Sequence, residues 1–327
     1  MTLTDRDVND LCSRLHLGAS HELQERAVNA ALRALLVEGR RGVVLADEVG
    51  FGKTYEALAV AALLAERARE ARKPFERVLI LCKSSLLEKW QEELSPAREK
   101  DRGFLQYLTG PHWPKTHPFR RILHPVTISR RASADDKRSM RDDGRLQARP
   151  GIYIVNQDVL TERNRIHRPF LKRLYNTNWD LVIVDEAHHY ARWTKPAYIF
   201  APDGDMTNYA QGIGRGDFRW VLALTATPFE LTPREMVQLL ALVRADRHDL
   251  KAIERGLDLY VRGLDRFFAL RQRDASDPLR RDAVRHLRSL RVEDASGRGG
   301  PGVGIEALLR RYVIRNTKQQ NERRYFL

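Results

Sequence analysis

The sequence predicts an α/β fold built on a parallel, doubly wound sheet. Short apolar runs typical of buried strands alternate along the chain with segments of helical periodicity. A glycine-rich segment at residues 45–54 separates one such run from a helix, and an aliphatic run at residues 181–184 ends in two acidic residues. Since open parallel sheets bind ligands at the carboxyl ends of their strands, these observations also predict where a site lies.

The glycine-rich segment, Leu-Ala-Asp-Glu-Val-Gly-Phe-Gly-Lys-Thr, has the composition of a phosphate-binding loop. Gly50 and Gly52 permit backbone angles that a side chain would forbid, and they bring N–H groups close to phosphate oxygens. The helix that begins near Lys53 adds the positive end of its dipole. We expect Lys53 to contact the β- and γ-phosphates of ATP and the Thr54 hydroxyl to bind Mg²⁺.

The acidic pair that follows the aliphatic run supports the same prediction. Asp185 and Glu186 come directly after residues 181–184, a run typical of a strand buried on both faces. Asp185 is expected to hold Mg²⁺, and Glu186 to orient or deprotonate the attacking water. The alternative is a solvated turn between a strand and a helix, but the phosphate loop upstream favours the catalytic interpretation.

The remaining elements are predicted from periodicity, and they divide the chain into four segments. Residues 21–37 form an amphipathic helix that carries Gln24. The other predicted strands are residues 77–82, 104–108, 151–155 and 220–224, and the other predicted helices are residues 85–94 and one that ends near 172–175. The predicted segments are an N-terminal helical segment (1–40), the ATP-binding lobe (41–230) with a basic insertion near 98–150, a helical appendage of two to four helices (231–295), and a linker and tail (296–327) that is helical or extended at 308–317.

The charge of the chain points to a polyanionic partner. The formal net charge is +14, from 57 basic and 43 acidic residues. Only 11 of the basic residues are lysine, a bias that also fits the codon usage of a GC-rich genome. The basic insertion contains Trp113 and Phe119, which would suit stacking on bases or sugars, although a solvated and partly disordered insertion explains residues 129–149 equally well.

Cysteine content and hydropathy restrict the compartment. Cys12 and Cys82 lie far apart, so neither a disulfide framework nor a metal cluster is expected, and the reducing cytoplasm is the predicted location. The first residues lack the pattern of a signal peptide, and the longest apolar stretch, residues 57–65, is too short to span a bilayer.

The order of motifs resembles that of the superfamily-two helicases and, within them, the SWI/SNF-like double-stranded DNA translocases with a DEAH-box. Residues 78–94 contain the Ser-Leu turn and the Trp followed by Glu-Leu that this family carries, and residues 224–228 read Leu-Thr-Ala-Thr-Pro. The resemblance extends over about residues 20–320. Its other motifs are residues 45–54, 105–110, 152–160, 185–188 and 310–318.

The resemblance implies a RecA-like P-loop NTPase lobe and a role for each motif residue. Gln24 would contact the adenine edge, with an exposed polar helix residue as the alternative. Thr225 and Thr227 would couple phosphate state to nucleic-acid binding, with capping of the next helix as the alternative. The implied sets are Gln24, Glu48, Gly50, Phe51, Gly52, Lys53, Thr54 and Tyr55 for the nucleotide, Thr54 and Asp185 for the metal, Lys53, Asp185 and Glu186 for catalysis, His188, Thr225 and Thr227 for coupling, and Ser84, Ser85 and Asn156 for the nucleic-acid backbone.

The resemblance also implies a second RecA-like lobe. In this family ATP lies between two lobes, and the second supplies arginine fingers worth about 10³ to 10⁵ in turnover. The chain stops where that lobe is expected to begin. Three explanations are open: a piece of a longer protein, a natural lobe completed by a second polypeptide in trans, or an ATP-binding module that no longer cycles. The intact loop and acidic pair oppose the last.

The predicted function is therefore an ATP-binding motor lobe of a double-stranded DNA translocase that hydrolyses ATP with Mg²⁺ when a second lobe completes it. The Thr-Ala-Thr-Pro form favours bacterial branches, including RNA-polymerase-remodelling and phage-defence relatives. One alternative is a fragment of a DEAH-type RNA or DNA helicase. The other is a nonenzymatic, ATP-dependent scaffold that recruits a nuclease or methylase partner.

Overall fold

A seven-stranded parallel sheet forms the centre of the computed structural model. The model describes residues 3–15, 21–47, 50, 52–94, 103–109, 111–123, 126–128, 150–156, 177–189, 219–226, 232–270, 272, 274, 276–292 and 304–315. The strands are β1 (Gly42–Leu45), β2 (Arg77–Cys82), β3 (Val126–Ile128), β4 (Gly151–Asn156), β5 (Leu181–Val184), β6 (Trp220–Leu224) and β7 (Val313–Ile314). Their order across the sheet is β3-β4-β2-β5-β6-β1-β7, and every pair is parallel. The predicted α/β fold with a parallel sheet is confirmed.

Helices flank the sheet, and several begin at residues suited to capping. They are α1 (Asp5–Cys12), α2 (Glu22–Leu36), α3 (Lys53–Glu70), α4 (Leu87–Leu94), α5 (Pro118–Ile122), α6 (Pro233–Leu242), α7 (Arg247–Ala269), α8 (Pro278–Val292) and α9 (Ile305–Leu309). Thr4 and Thr232 each form a capping box, with Asp7 and Glu235 respectively. Asp246 accepts hydrogen bonds from two backbone N–H groups of the first turn of α7.

Two hydrophobic layers, one on each face of the sheet, form the core. Alternate residues of one strand contribute to opposite layers: Val43 and Leu45 join the layer that contains α1 to α5, whereas Val44 joins the layer that contains α6, α7 and α9. α3 is buried over most of its length, as its apolar sequence predicts. Both faces of the sheet are therefore covered, and its carboxyl edge remains for a ligand. None of the helices described is long and apolar enough to cross a membrane.

Four of the predicted strands lie within a residue of their expected bounds, but the strand predicted at residues 104–108 is wrong. Phe104–Tyr107 forms a 3₁₀ helix instead. Phe104 and Leu108 are both fully buried. Positions four apart share one face in a strand and in a helical turn alike, so this burial fits either structure. A short apolar run does not distinguish the two structures by periodicity alone. The helix predicted at 85–94 is present as α4 after a 3₁₀ turn, Ser84–Leu86, whereas the helix end at 172–175 lies outside the described residues.

Burial also corrects the interpretation of the aromatic residues in the basic insertion. Trp113 is 2% exposed and Phe119 is 0% exposed, and both pack into the layer that contains α3. They cannot stack on a nucleic acid from these positions. Residues 129–149, for which a solvated insertion is the alternative, lie outside the described residues.

The C-terminal part of the chain returns to the sheet. α6, α7 and α8 agree with the predicted helical appendage, and Val261 of α7 is 39% exposed. After α9, β7 pairs with β1, so the tail contains both a helix and a strand. The Tyr312 hydroxyl donates to Asp249 Oδ2 at 2.7 Å, which fixes the tail against α7. The segment boundaries stay predictions.

Candidate nucleotide site at the carboxyl edge of the sheet

The glycine-rich loop connects β1 to α3 at the carboxyl edge of the sheet. Gly50 and Gly52 both have φ of +86°, a left-handed backbone conformation that residues with side chains rarely adopt. Gly52 is the N-cap of α3, and Lys53 and Thr54 occupy the first turn of the helix. The helix N-terminus therefore faces the edge where the predicted phosphates would bind. Glu48 and Phe51, which complete the predicted loop set, lie outside the described residues.

Lys53 is surrounded by acidic groups. Its Nζ donates to the backbone oxygen of Asp47 at 2.6 Å. Burial lowers the pKa of Lys53, and the negative charges of Glu56, Glu186, Asp47 and Asp185 oppose that shift. The ammonium group and the two predicted catalytic carboxylates thus share one site. A negatively charged phosphate at the same place would be stabilised by the cation.

Asp185 follows β5 and is held from two sides. Its Oδ1 accepts from the backbone N–H of Glu186 at 2.9 Å, and its Oδ2 accepts from Trp90 Nε1 at 2.8 Å. Burial raises the pKa of Asp185, and the bond from Trp90 opposes this shift. A carboxylate with both oxygens hydrogen-bonded still has lone pairs for a metal ion. Sequence reasoning named Trp90 only as a family motif residue and missed its contact with Asp185.

Glu186 has an unusual backbone conformation. Its φ is +50°, which is uncommon for a residue other than glycine. Its side chain is 32% exposed, and its Oε2 lies 3.3 Å from His188 Nδ1. Strained backbone of this kind persists only where surrounding contacts maintain it, and it is concentrated at functional sites. The conformation supports the interpretation of Glu186 as a group oriented for chemistry.

His188 connects the acidic motif to the end of β6. His188 Nδ1 lies 3.0 Å from Thr225 Oγ1, and both residues are buried. The Thr225 N–H in turn donates to Leu45 O at 3.0 Å, at the end of the strand that leads into the loop. The predicted contact from His188 toward the coupling motif is therefore present. The coupling role itself stays a prediction, and Thr227 lies outside the described residues.

Gln24 lies beside the loop. A Cβ atom built on Gly52 would be 3.6 Å from Gln24 Nε2 and 3.8 Å from the Tyr55 ring. The Tyr55 and Tyr107 rings meet edge to face, with centroids 5.8 Å apart, and His21 packs against Tyr107 at the same distance. A polar amide next to aromatic rings suits recognition of a flat heterocycle. Sequence reasoning placed Tyr107 in a strand and did not predict this aromatic group.

The residues predicted to contact nucleic acid lie at the ends of two neighbouring strands. Ser84 and Ser85 are exposed immediately after β2. Asn156 ends β4 and pairs with Cys82, but it is only 3% exposed. The two serine hydroxyl groups are accessible to a polynucleotide. The Asn156 side chain is buried at the end of β4 and is not accessible in the same way. Their roles stay predictions.

A second acidic pair, Asp47 and Glu56, is buried beneath the loop. Both residues are 0% exposed. Burial, followed by the negative charge of Asp47, raises the pKa of Glu56 to about 9. Neither carboxyl oxygen of Glu56 has a hydrogen-bond partner in the described part of the chain. An ionised carboxylate would therefore be uncompensated there, and the protonated form is favoured. Sequence reasoning included Glu56 only as part of an apolar helix, although an acidic residue in such a run was a signal for this pair.

We expect Glu56→Gln to stabilise the protein increasingly as the pH rises. The pKa of Glu56 changes from an ordinary 4.5 to about 9 on folding. The unfolded chain therefore loses this proton at lower pH than the folded chain, and the free energy of unfolding falls across that window by up to about 1.4 kcal/mol per pH unit. Glutamine has nearly the same shape as protonated glutamate and does not titrate.

Urea unfolding of the parent and Glu56→Gln at several pH values between these two pKa values measures the effect. Glu88→Gln, at an exposed position of α4, is the matched control and should follow the parent. Parallel stability profiles for Glu56→Gln and the parent would contradict a proton on Glu56.

The residues present fit a Mg²⁺–nucleotide complex. Thr54 and Asp185 are the groups available as Mg²⁺ ligands, since Mg²⁺ is commonly held by one or two protein oxygens together with phosphates and water. No group of three or more histidine, cysteine or acidic residues suited to a metal occurs in the described part of the chain.

A family model and several known proteins match this chain. A model of the SNF2-related domain matches residues 23–255. RNA polymerase-associated protein RapA from Yersinia pestis (strain Pestoides F) is 30% identical over 215 residues, which are 63% of this chain and 17% of RapA. RapA from Serratia proteamaculans (strain 568) is also 30% identical, over 212 residues. The chain thus spans about a sixth of the length of these relatives.

A solved structure is also similar. The Hef helicase domain of Pyrococcus furiosus is matched with a TM-score of 0.39 and 14% sequence identity. The match covers 88% of this chain and 56% of the Hef chain.

Proposed function

Because this chain belongs to the SNF2-related domain family, of the superfamily-two helicases, we propose that it is the ATP-binding motor lobe of a double-stranded DNA translocase. The observation that carries the proposal is the convergence of Lys53, Asp185 and Glu186 at one edge of the sheet. Membership of the family supports an ATPase-type enzyme in general. The substrate, the metal and the partners are the proposed part.

The proposed chemistry assigns one task to each group. Lys53 neutralises the β- and γ-phosphates, and Glu186 orients and deprotonates the attacking water. Bound Mg²⁺ would supply positive charge that offsets the charge developing on the phosphates. Thr54 and Asp185 hold the metal, and Gln24 binds the adenine edge. The hydrogen bond between His188 and Thr225 links the acidic motif to the coupling segment.

The proposal includes a second RecA-like lobe, in the same chain or in another polypeptide. All of the described site residues lie on one sheet and on the helices and turns that flank it, and superfamily-two motors bind ATP between two lobes. Without an arginine finger, turnover should be slower by about 10³ to 10⁵. Addition of a polypeptide that carries the second lobe should therefore give a large, DNA-dependent increase in ATP hydrolysis.

A second candidate function is remodelling of an RNA polymerase complex. The identity with RapA, whose name records association with RNA polymerase, favours this partner over a nuclease or methylase. The two candidates share the same motor chemistry and differ in what the motor moves. Binding of purified RNA polymerase to the chain, measured by size-exclusion chromatography, tests this candidate.

We expect the chain to bind duplex DNA without sequence preference and with strong salt dependence. Contacts from hydroxyl, amide and basic groups to phosphates release counterions, so affinity should fall linearly with salt on a logarithmic scale. Fluorescence anisotropy with two duplexes of unrelated sequence, across a series of salt concentrations, measures both properties. Ser84→Ala combined with Ser85→Ala should weaken both complexes equally. Absence of duplex binding at low salt would favour the scaffold function over the motor.

A further inference from the structure

Trp90 links two parts of the chain that are distant in sequence. It lies on the buried side of α4 and is 0% exposed. Its Nε1 donates to Asp185 Oδ2 at 2.8 Å, although the two residues are 95 positions apart. A tryptophan buried only for packing does not need a charged acceptor, whereas this one has a carboxylate at the proposed metal site.

The hydrogen bond determines how the Asp185 carboxylate is oriented. One oxygen accepts from the backbone of Glu186 and the other from the indole of Trp90. Rotation of the carboxylate about its Cβ–Cγ bond would break one or both of these bonds. Groups that orient a metal ligand in this way typically contribute 10- to 100-fold to metal affinity.

The same helix is continuous with the exposed turn at the end of β2. α4 begins at Leu87, immediately after the turn Ser84–Leu86, and Trp90 lies about one helical turn further along. α4 has a second contact with the site through Glu93, which hydrogen-bonds to Tyr55 in the first turn of α3. Burial and this hydrogen bond raise the pKa of Tyr55. A displacement of the exposed turn would therefore be transmitted by a short, rigid helix to both the carboxylate and the loop.

We propose that Trp90 is a positioning residue that connects polynucleotide binding at Ser84–Leu86 to the orientation of Asp185. In this arrangement the hydrogen bond holds Asp185 ready for Mg²⁺, and movement of α4 adjusts that geometry when DNA binds. The inference rests on the proposed function of the site as a Mg²⁺–ATP site. It adds a physical route by which DNA regulates that site.

Trp90→Phe tests this route, because phenylalanine keeps an aromatic ring in the core and removes the indole N–H. Trp113→Phe is the matched control: Trp113 is also buried, and its Nε1 donates to Arg14 O at the same distance, 2.8 Å, among α1, α3 and α5. Replacement of Trp90 by benzothienylalanine, which has the shape of tryptophan but no N–H, removes the bond with the least change in packing.

The measurement is the affinity for ATP by calorimetry, in Mg²⁺ and in EDTA, with and without duplex DNA of mixed sequence. For the parent and Trp113→Phe, we expect Mg²⁺ to increase the affinity and DNA to change that increase. For Trp90→Phe and the benzothienylalanine protein, we expect the increase to be about tenfold smaller and insensitive to DNA, with unchanged affinity in EDTA. Circular dichroism verifies that each variant is folded.

A full Mg²⁺ effect with an unchanged DNA response in the benzothienylalanine protein would overturn the inference. Equal losses in the Trp90 and Trp113 variants would also overturn it, since they would indicate a general packing effect. A parent that binds ATP without any contribution from Mg²⁺, or does not bind ATP, contradicts the proposed function itself. The parent measurements therefore separate failure of the function from failure of the role of Trp90.

Discussion

We expect Lys53→Ala to weaken ATP binding by roughly 10- to 100-fold in the presence of Mg²⁺. The substitution removes a charged donor whose hydrogen bonds to phosphate are worth about 1.5 to 3 kcal/mol. It also removes a cation whose pKa is raised by the charges of Glu56, Glu186, Asp47 and Asp185. Bound triphosphate would then face Asp185, Glu186 and Asp47 without that compensating charge.

Calorimetric titration of ATP into the parent and the variant measures the difference. Lys73→Ala is the matched control, because Lys73 is exposed just beyond the opposite end of α3. It should bind ATP as the parent does. If Lys53→Ala bound Mg²⁺–ATP as tightly as the parent, the assignment of the phosphate loop would be wrong.

Glu186→Gln should retain ATP binding and lose turnover by about 10² to 10⁴, the usual contribution of a general base. Glutamine has nearly the same shape as glutamate, but it cannot accept the proton of the attacking water. The strained backbone at φ +50° is expected to remain, since it is maintained by the bonds around Asp185 and Ala187. The effect should thus appear in the rate constant and leave the dissociation constant unchanged.

Phosphate release under single-turnover conditions, with the protein in excess over ATP and duplex DNA present, gives the rate. The same comparison with a second RecA-like lobe added should start from a faster parent and show a loss at least as large. Glu254→Gln, at an exposed position of α7, is the control and should match the parent. Equal hydrolysis by Glu186→Gln and the parent would remove Glu186 from the mechanism.

The sequence alone predicted the fold class, because its strongest patterns are local. The aliphatic runs of β5 and β6 were located at the bounds that the structure has, since a strand buried on both faces has a nearly continuous apolar sequence. The 3₁₀ turn at Phe104–Tyr107 was missed for the opposite reason. Its run is interrupted by Gln106, so no continuous apolar pattern distinguishes a strand from a helical turn there.

The candidate site also contains features that the sequence predicts and features that it does not predict. Gly50, Gly52 and Lys53 are adjacent in the chain, so a motif predicts their geometry, and their backbone conformation agrees with it. The burial of Trp113 could not be predicted, because its aromatic and basic neighbours are equally typical of an exposed binding loop. Only its packing against the layer around α3 excludes stacking on a nucleic acid.

The sequence by itself determined the α/β class, most strands of the central sheet, and the loop and acidic motifs, all of which depend on residues close together in the chain. Tertiary structure decided which distant groups meet: Trp90 with Asp185, Glu56 with Asp47, and His188 with Thr225. The physical reason is that hydrogen bonds and pKa shifts depend on distance and burial in three dimensions. The periodicity of apolar residues in a sequence contains neither the distance between two groups nor their burial. The proposed regulation of the site could therefore be inferred only from the folded chain.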